Sequence, residues 1–176
     1  MDKIKLMESL QSVINSMVNP EVLLFTTSLL NVAPKSFWER PSSRNHHPED
    51  ERGQYGDIIH TIRVAKTVTL LCDIPNITGT PRDILVSVAI LHDTCRYGLN
   101  DEANYTVTEH ALLVRQLAKE HRIECKFDEP IFNLIENHMG RWGQKIYTPK
   151  LSFNAILHIA DTVCARIVEV LDKEKW

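Results

Sequence analysis

Apolar residues recur at helical spacing along most of the chain. Between residues 3 and 18, Ile4, Leu6, Met7, Leu10, Val13, Ile14 and Met17 fall close to one stripe, which predicts an amphipathic helix. Asn19-Pro20 restarts the chain, with Asn placed as an N-cap and Pro at the first helical position. A short apolar helix follows over 20–32 and ends before Pro34. Residues 33–56, APKSFWERPSSRNHHPEDERGQYG, hold three prolines, two glycines and many charges. They read as irregular, and so long a loop inside a compact domain is often functional. The helical pattern then resumes, with a helix over about 57–72 capped by Asp57 and one over about 81–94 opened by Pro81. Another runs from Thr106 or Thr108 to about 121, a short one from Pro130 to near Gly140, and a long one over about 150–172. No segment alternates convincingly with period two. The expectation is an all-α fold, a helical bundle of about seven helices forming a single domain over 1–176. Within it, 1–32 are N-terminal helices, 33–56 a loop and 57–172 the helical core.

Several polar residues break the apolar faces of these helices. His60 lies on a stripe with Val64, Val68 and Leu71. His92 follows Leu85 and Val88, and the run Val86 to Leu91 ends abruptly in His92-Asp93. His110 shares a face with Val107, Val114 and Leu117. His138 is in line with Leu134 and Ile131, and Asp161 with Leu157, Cys164 and Val168. A single inward histidine is most often a satisfied core residue. Six such residues on five helices stabilise one another only if they converge, because a buried carboxylate without a partner is costly. A metal site is the economical solution. Four histidines and two aspartates exceed the needs of one structural zinc. They suit two transition-metal ions bridged by a carboxylate and a water or hydroxide.

Composition narrows the class. Hydrophobic residues make up 43% and charged residues 24% of 176, an ordinary globular balance. The net charge is −3 with His neutral, so a large nucleic-acid footprint is not expected, although a small or single-stranded substrate fits. Cys72, Cys95, Cys125 and Cys164 form no CxxC pair and read as reduced thiols of a cytoplasmic protein. The N-terminus is interrupted by charge, so neither a signal peptide nor a membrane span is expected.

The order His60, His92-Asp93, His110, His138, Asp161 resembles the HD-domain metal-dependent phosphohydrolase superfamily. HHPEDERGQYGDIIHTIRVA is similar to members with a His-His-Pro element and a glycine before the first ligand helix. ENHMGRWG and LHIADTVCAR resemble late motifs of HD-type 3′-to-5′ exoribonucleases, and the likeness covers about residues 36–168. It implies His60, His92, Asp93, His110, His138 and Asp161 as ligands of two divalent transition-metal ions (Mn, Fe, Co, Ni or Zn), with Asp93 as the bridge. Two departures limit what carries over. The lysine found three residues after the HD aspartate in Gly-Tyr-Pro-type cyclic-dinucleotide phosphodiesterases is Arg96 here, and the Gly-Tyr-Pro element is missing. The HD 5′-nucleotidases typically carry a glutamate at that position, which Arg96 again replaces.

The resemblance implies hydrolysis of a phosphate ester of a nucleotide or short oligonucleotide by a metal-bound hydroxide, with Asp93 and Arg96 catalytic. Arg96 is expected either to contact a phosphate oxygen through its planar fork or to form a surface salt bridge. Arg141 and Lys145 flank the Gly140–Gly143 turn and, with Trp142, are candidate substrate contacts. His46 and His47 are expected to bind substrate or donate a proton, or else to sit in a solvated loop. His121, His158 and Arg166 read as structural. The rival readings are an HD-like di-iron oxygenase, a mononuclear 5′-nucleotidase, and a binding module with a degenerate site. The expected partner is a small phosphorylated substrate, with no membrane; helices 1–32 are expected either to complete the core or to pack against a second copy as a homodimer through an apolar face.

Overall fold

The computed structural model describes residues 3–42, 47–140 and 153–167. Among these the chain forms eight α-helices and no strand. They are α1 (Lys3–Ile14), α2 (Pro20–Asn31), α3 (Lys35–Glu39), α4 (Gly56–Asp73), α5 (Gly79–Leu91), α6 (His110–Glu120), α7 (Asp128–Asn137) and α8 (Phe153–Thr162), the last running into a π-turn at Val163–Ile167. The all-α expectation holds. No helix among the described residues is long and apolar enough to cross a membrane. The cysteines are unpaired, three of them buried.

The centre of the bundle is α5. Leu85, Val86, Val88, Ala89, Ile90 and Leu91 are all inaccessible to solvent. A helix apolar on every side has to be surrounded, and α2, α4, α7 and α8 all pack on it. Each buried Leu or Ile contributes roughly 1.5–3 kcal/mol. The polar exceptions are matched: Thr26 of α2 donates to Val22 O and lies 2.7 Å from Ser87 Oγ. At the N-terminal end of α5, Asp83 Oδ2 accepts from the Val18 and Asn19 amides at 2.8 and 2.7 Å. Asn19 Oδ1 in turn accepts from the amides of Glu21 and Val22, so Asn19 caps α2 as the sequence predicts. The first helix stops at Ile14 rather than near 18, because the chain has to turn before that cap.

Residues 33–56 are less irregular than their composition suggests. Pro34 precedes one short helix, α3, anchored by the buried Phe37, and a 3-10 turn forms at Glu49–Glu51. This extra helix accounts for eight rather than about seven. The segment is tied to the loop between α5 and α6. Tyr97 Oη donates to Pro41 O at 2.6 Å, Arg40 donates to Ala103 O at 2.6 Å, and the Ser36 amide donates to Asp101 at 3.0 Å. Gly56 makes the path possible. A Cβ there would collide with the Glu51 carbonyl and the Ser42 amide, which bond to each other at 2.8 Å. Only glycine lets the 3-10 turn lie this close to the start of α4. The C-terminal ends of α5 and α7, the start of α6, the second turn of α4 and the last turn of α8 carry His92, His138, His110, His60 and Asp161 respectively.

Candidate metal centre

Three of the four histidines are held by their own backbone. His92 Nδ1 lies 2.9 Å from Ala89 O, His110 Nδ1 2.7 Å from Val107 O, and His138 Nδ1 2.7 Å from Ile135 O. A carbonyl only accepts, so each Nδ1 carries the proton and each Nε2, in the neutral ring, presents a lone pair. His60 differs: its Nδ1 lies 3.2 Å from Glu51 Oε2 in an ion-pair contact whose angle falls short of a hydrogen bond.

All four Nε2 atoms face the Asp93 carboxylate. Oδ2 is 3.1 Å from His92 Nε2 and 3.8 Å from His60 Nε2. Oδ1 is 3.1 Å from His110 Nε2 and 3.8 Å from His138 Nε2. Asp161 Oδ1 lies 3.0 Å from His60 Nε2, and its side chain, 21% exposed, is the most accessible of the six. The other five are buried. Nε2 of His92 and of His110 lack any hydrogen-bond partner. Lone pairs of nitrogen aimed at lone pairs of oxygen in a dry interior are unfavourable, and a shared cation converts that conflict into coordination. The donor set therefore fits a divalent metal. Two overlapping groups, His60–His92–Asp161 and His92–Asp93–His138, each have ligand atoms mutually within 4.8 Å.

The ionisation of these groups reflects the same crowding. Burial pushes Asp93 up, but the Arg96 charge beside it holds it well below its ordinary range. Burial likewise opposes charge on His60, yet its hydrogen bond to Asp161 and the nearby Glu51 carboxylate push it up to about 9. Burial, with the charge of His92 beside it, takes His138 down to about 3. A proton on His60 balances the carboxylates, and a metal bound by these residues would compete with that proton.

Arg96 is not at the surface, which removes the surface salt bridge foreseen as one of its two roles. It is buried, with Nη2 on Asp93 and Nε 3.1 Å from Asp57 Oδ1. Asp57 does not cap α4. It turns inward, and burial pushes it up to about 7 despite the Arg96 charge. His47 is also buried rather than part of a solvated loop. Its Nδ1 faces Ser42 Oγ at 3.0 Å and Glu51 Oε2 at 2.8 Å. Glu51, which the sequence reading did not single out, is fully buried, and its Oε1 accepts from Arg63 at 2.6 Å. Burial opposes its charge, but the hydrogen bond from His47, the nearby His60 and the hydrogen bond from Arg63 bring it down to about 2. The one sequence cue was its place four residues after His47.

His47, Asp93, Arg96, His110, His138, Asp161 and Arg166 line one cavity of about 480 Å³. His158 also borders it and holds the His138 carbonyl through Nδ1 at 2.9 Å. His121 is exposed. His46, Arg141, Trp142 and Lys145 lie outside the described residues.

The HD domain model matches residues 57–175, and the chain belongs to the HD domain family. It is similar to the 3′-5′ exoribonuclease YhaM of Bacillus velezensis, at 25% identity over 179 residues covering 94% of this chain and 55% of that protein. The chain thus spans about half the length of that relative. No solved structure matches it at a comparable level.

Proposed function

We propose that the chain is a metal-dependent phosphohydrolase acting on a phosphate ester of a nucleotide or short oligonucleotide. One observation carries the reading: each oxygen of Asp93 faces two imidazole Nε2 atoms, those of His60 and His92 on one side and of His110 and His138 on the other. That division suits two divalent cations with Asp93 between them, Asp161 completing the side of His60 and His92. The name of the relative, a 3′-5′ exoribonuclease, favours a phosphodiester at an RNA end as the substrate class.

Bound cations at such a site supply positive charge to a phosphoryl group and lower the pKa of water. The chain's own residues do the rest. Arg96 turns Nε and Nη2 to the carboxylates of Asp57 and Asp93, which fixes the guanidinium and leaves Nη1 for a phosphate oxygen. His47, on the cavity wall, is placed to pass a proton to the leaving oxygen. His46, Arg141, Trp142 and Lys145 are the proposed further substrate contacts, Trp142 by stacking on a base.

The test is elemental analysis followed by hydrolysis assays with manganese, under argon, on short RNAs and mononucleotides. About two ions per chain and oxygen-independent hydrolysis are expected, with both lost in Asp93→Ala. Full activity in Asp93→Ala, or turnover only with iron and dioxygen, would overturn the proposal.

A further inference from the structure

The family match begins at residue 57, yet a fully buried carboxylate near the site lies before it. Glu51 is inaccessible to solvent and sits in a one-turn 3-10 segment held against α4 by Gly56. Its Oε2 faces two imidazoles at once, hydrogen-bonded to His47 Nδ1 at 2.8 Å and in ion-pair contact with His60 Nδ1 at 3.2 Å. Its Oε1 takes Arg63 Nη1 at 2.6 Å, and Arg63 reaches on to Asp50. The two rings stand edge to face, 4.5 Å between centroids.

His47, Glu51 and His60 have the composition of a metal site, but the geometry argues otherwise. Both rings turn Nδ1 to the same oxygen. His60 Nε2 is already committed to the Asp161 and Asp93 side. Glu51 also carries the Arg63 guanidinium, which would repel a cation at that carboxylate.

We infer that Glu51 is a positioning residue: clamped by Arg63, it holds the proton on Nδ1 of both His47 and His60, and so presents Nε2 of His60 to the metal centre and Nε2 of His47 to the cavity. The inference rests on the metal-centre reading above and extends it to a residue outside the ligand set. His60 needs this help more than the other three histidines. Those sit at helix ends and use the carbonyl three residues earlier, whereas His60 sits inside α4, in its second turn, where the carbonyls of the preceding turn are engaged in the helix. A carboxylate partner also raises the basicity of a ligating imidazole. One carboxylate thereby couples the metal ligand to the proton-carrying side chain on the cavity wall.

The experiment combines calorimetric titration of the metal-depleted protein with Mn²⁺ and nitrogen-15 histidine spectra of the Zn²⁺-loaded protein. In the wild type, His47 and His60 should both carry the proton on Nδ1. Glu51→Gln should weaken Mn²⁺ binding by about 10–100-fold and lose the single Nδ1–H form at His47. Asp83→Asn is the control, removing a buried carboxylate at the far end of α5. It should lower stability with Mn²⁺ affinity unchanged. Wild-type spectra with the proton on Nε2 of either ring overturn the inference without any variant, so it stays testable even if Glu51→Gln fails to fold. Glu51→Gln with wild-type affinity overturns it too. A wild type that binds neither Mn²⁺ nor Zn²⁺ overturns the metal-centre reading instead, and the His47 proton position in metal-free protein then decides the remaining half.

Discussion

Glu51 shows how one side chain ties the fold to pH. Its carboxyl falls from an ordinary 4.5 to about 2 in the metal-free fold, burial being outweighed by His47, His60 and Arg63. A depressed folded pKa stabilises the protein above the unfolded value. That stabilisation drains away as pH falls through 4.5 towards 2. Urea midpoints of metal-free protein should therefore drop between pH 6 and pH 3, and the drop should be visibly shallower in Glu51→Gln. The same residue marks the limit of sequence reading. His60, His92, His110, His138 and Asp161 stand out because they interrupt apolar stripes, and they do meet around Asp93. Glu51 is one acid among several in HHPEDERG, where no periodicity separates a buried carboxylate from solvated ones. Asp57 misled for a related reason: an acid at a helix start reads as a cap, and only the buried Arg96 opposite reveals why it turns inward.

At the scale of the element, α5 was the most legible part of the molecule. An apolar run interrupted only by Ser87 is buried by necessity, and its polar ends, Asp83 and His92-Asp93, do different work at opposite ends. Leu85→Ala should cost about 2–5 kcal/mol, read as a lowered urea midpoint with an unchanged slope. The segment 33–56 was the least legible. Its prolines and charges suggested a loop, whereas α3 and the 3-10 turn exist because long-range partners hold them: Phe37 in the core, Tyr97 on Pro41 and Asp101 on Ser36. Contacts some 60 residues apart in sequence leave no local periodic trace.

For the whole molecule, five helices converge on one carboxylate, so metal and fold are thermodynamically linked. A cation that binds the folded chain and not the unfolded one stabilises it by about 2.7 kcal/mol at a hundredfold excess over Kd. For a chain of this size that corresponds to a rise of about 5–10 °C in Tm. Scanning calorimetry should show this rise on adding Mn²⁺ and its loss with a chelator. A Tm unmoved by any divalent ion would contradict the linkage.

The anchors of His92, His110 and His138 bear on how this site can vary. Each ring is fastened to the main-chain oxygen three positions earlier, at Ala89, Val107 and Ile135. A main-chain oxygen is the same whatever side chain stands above it. The orientation of three of the four imidazoles is thus insulated from substitution at the very positions that set it, and only a change in helix path would disturb it. The fourth, on Glu51, has no such insulation: its orientation is written in a side chain, and a single codon can erase it.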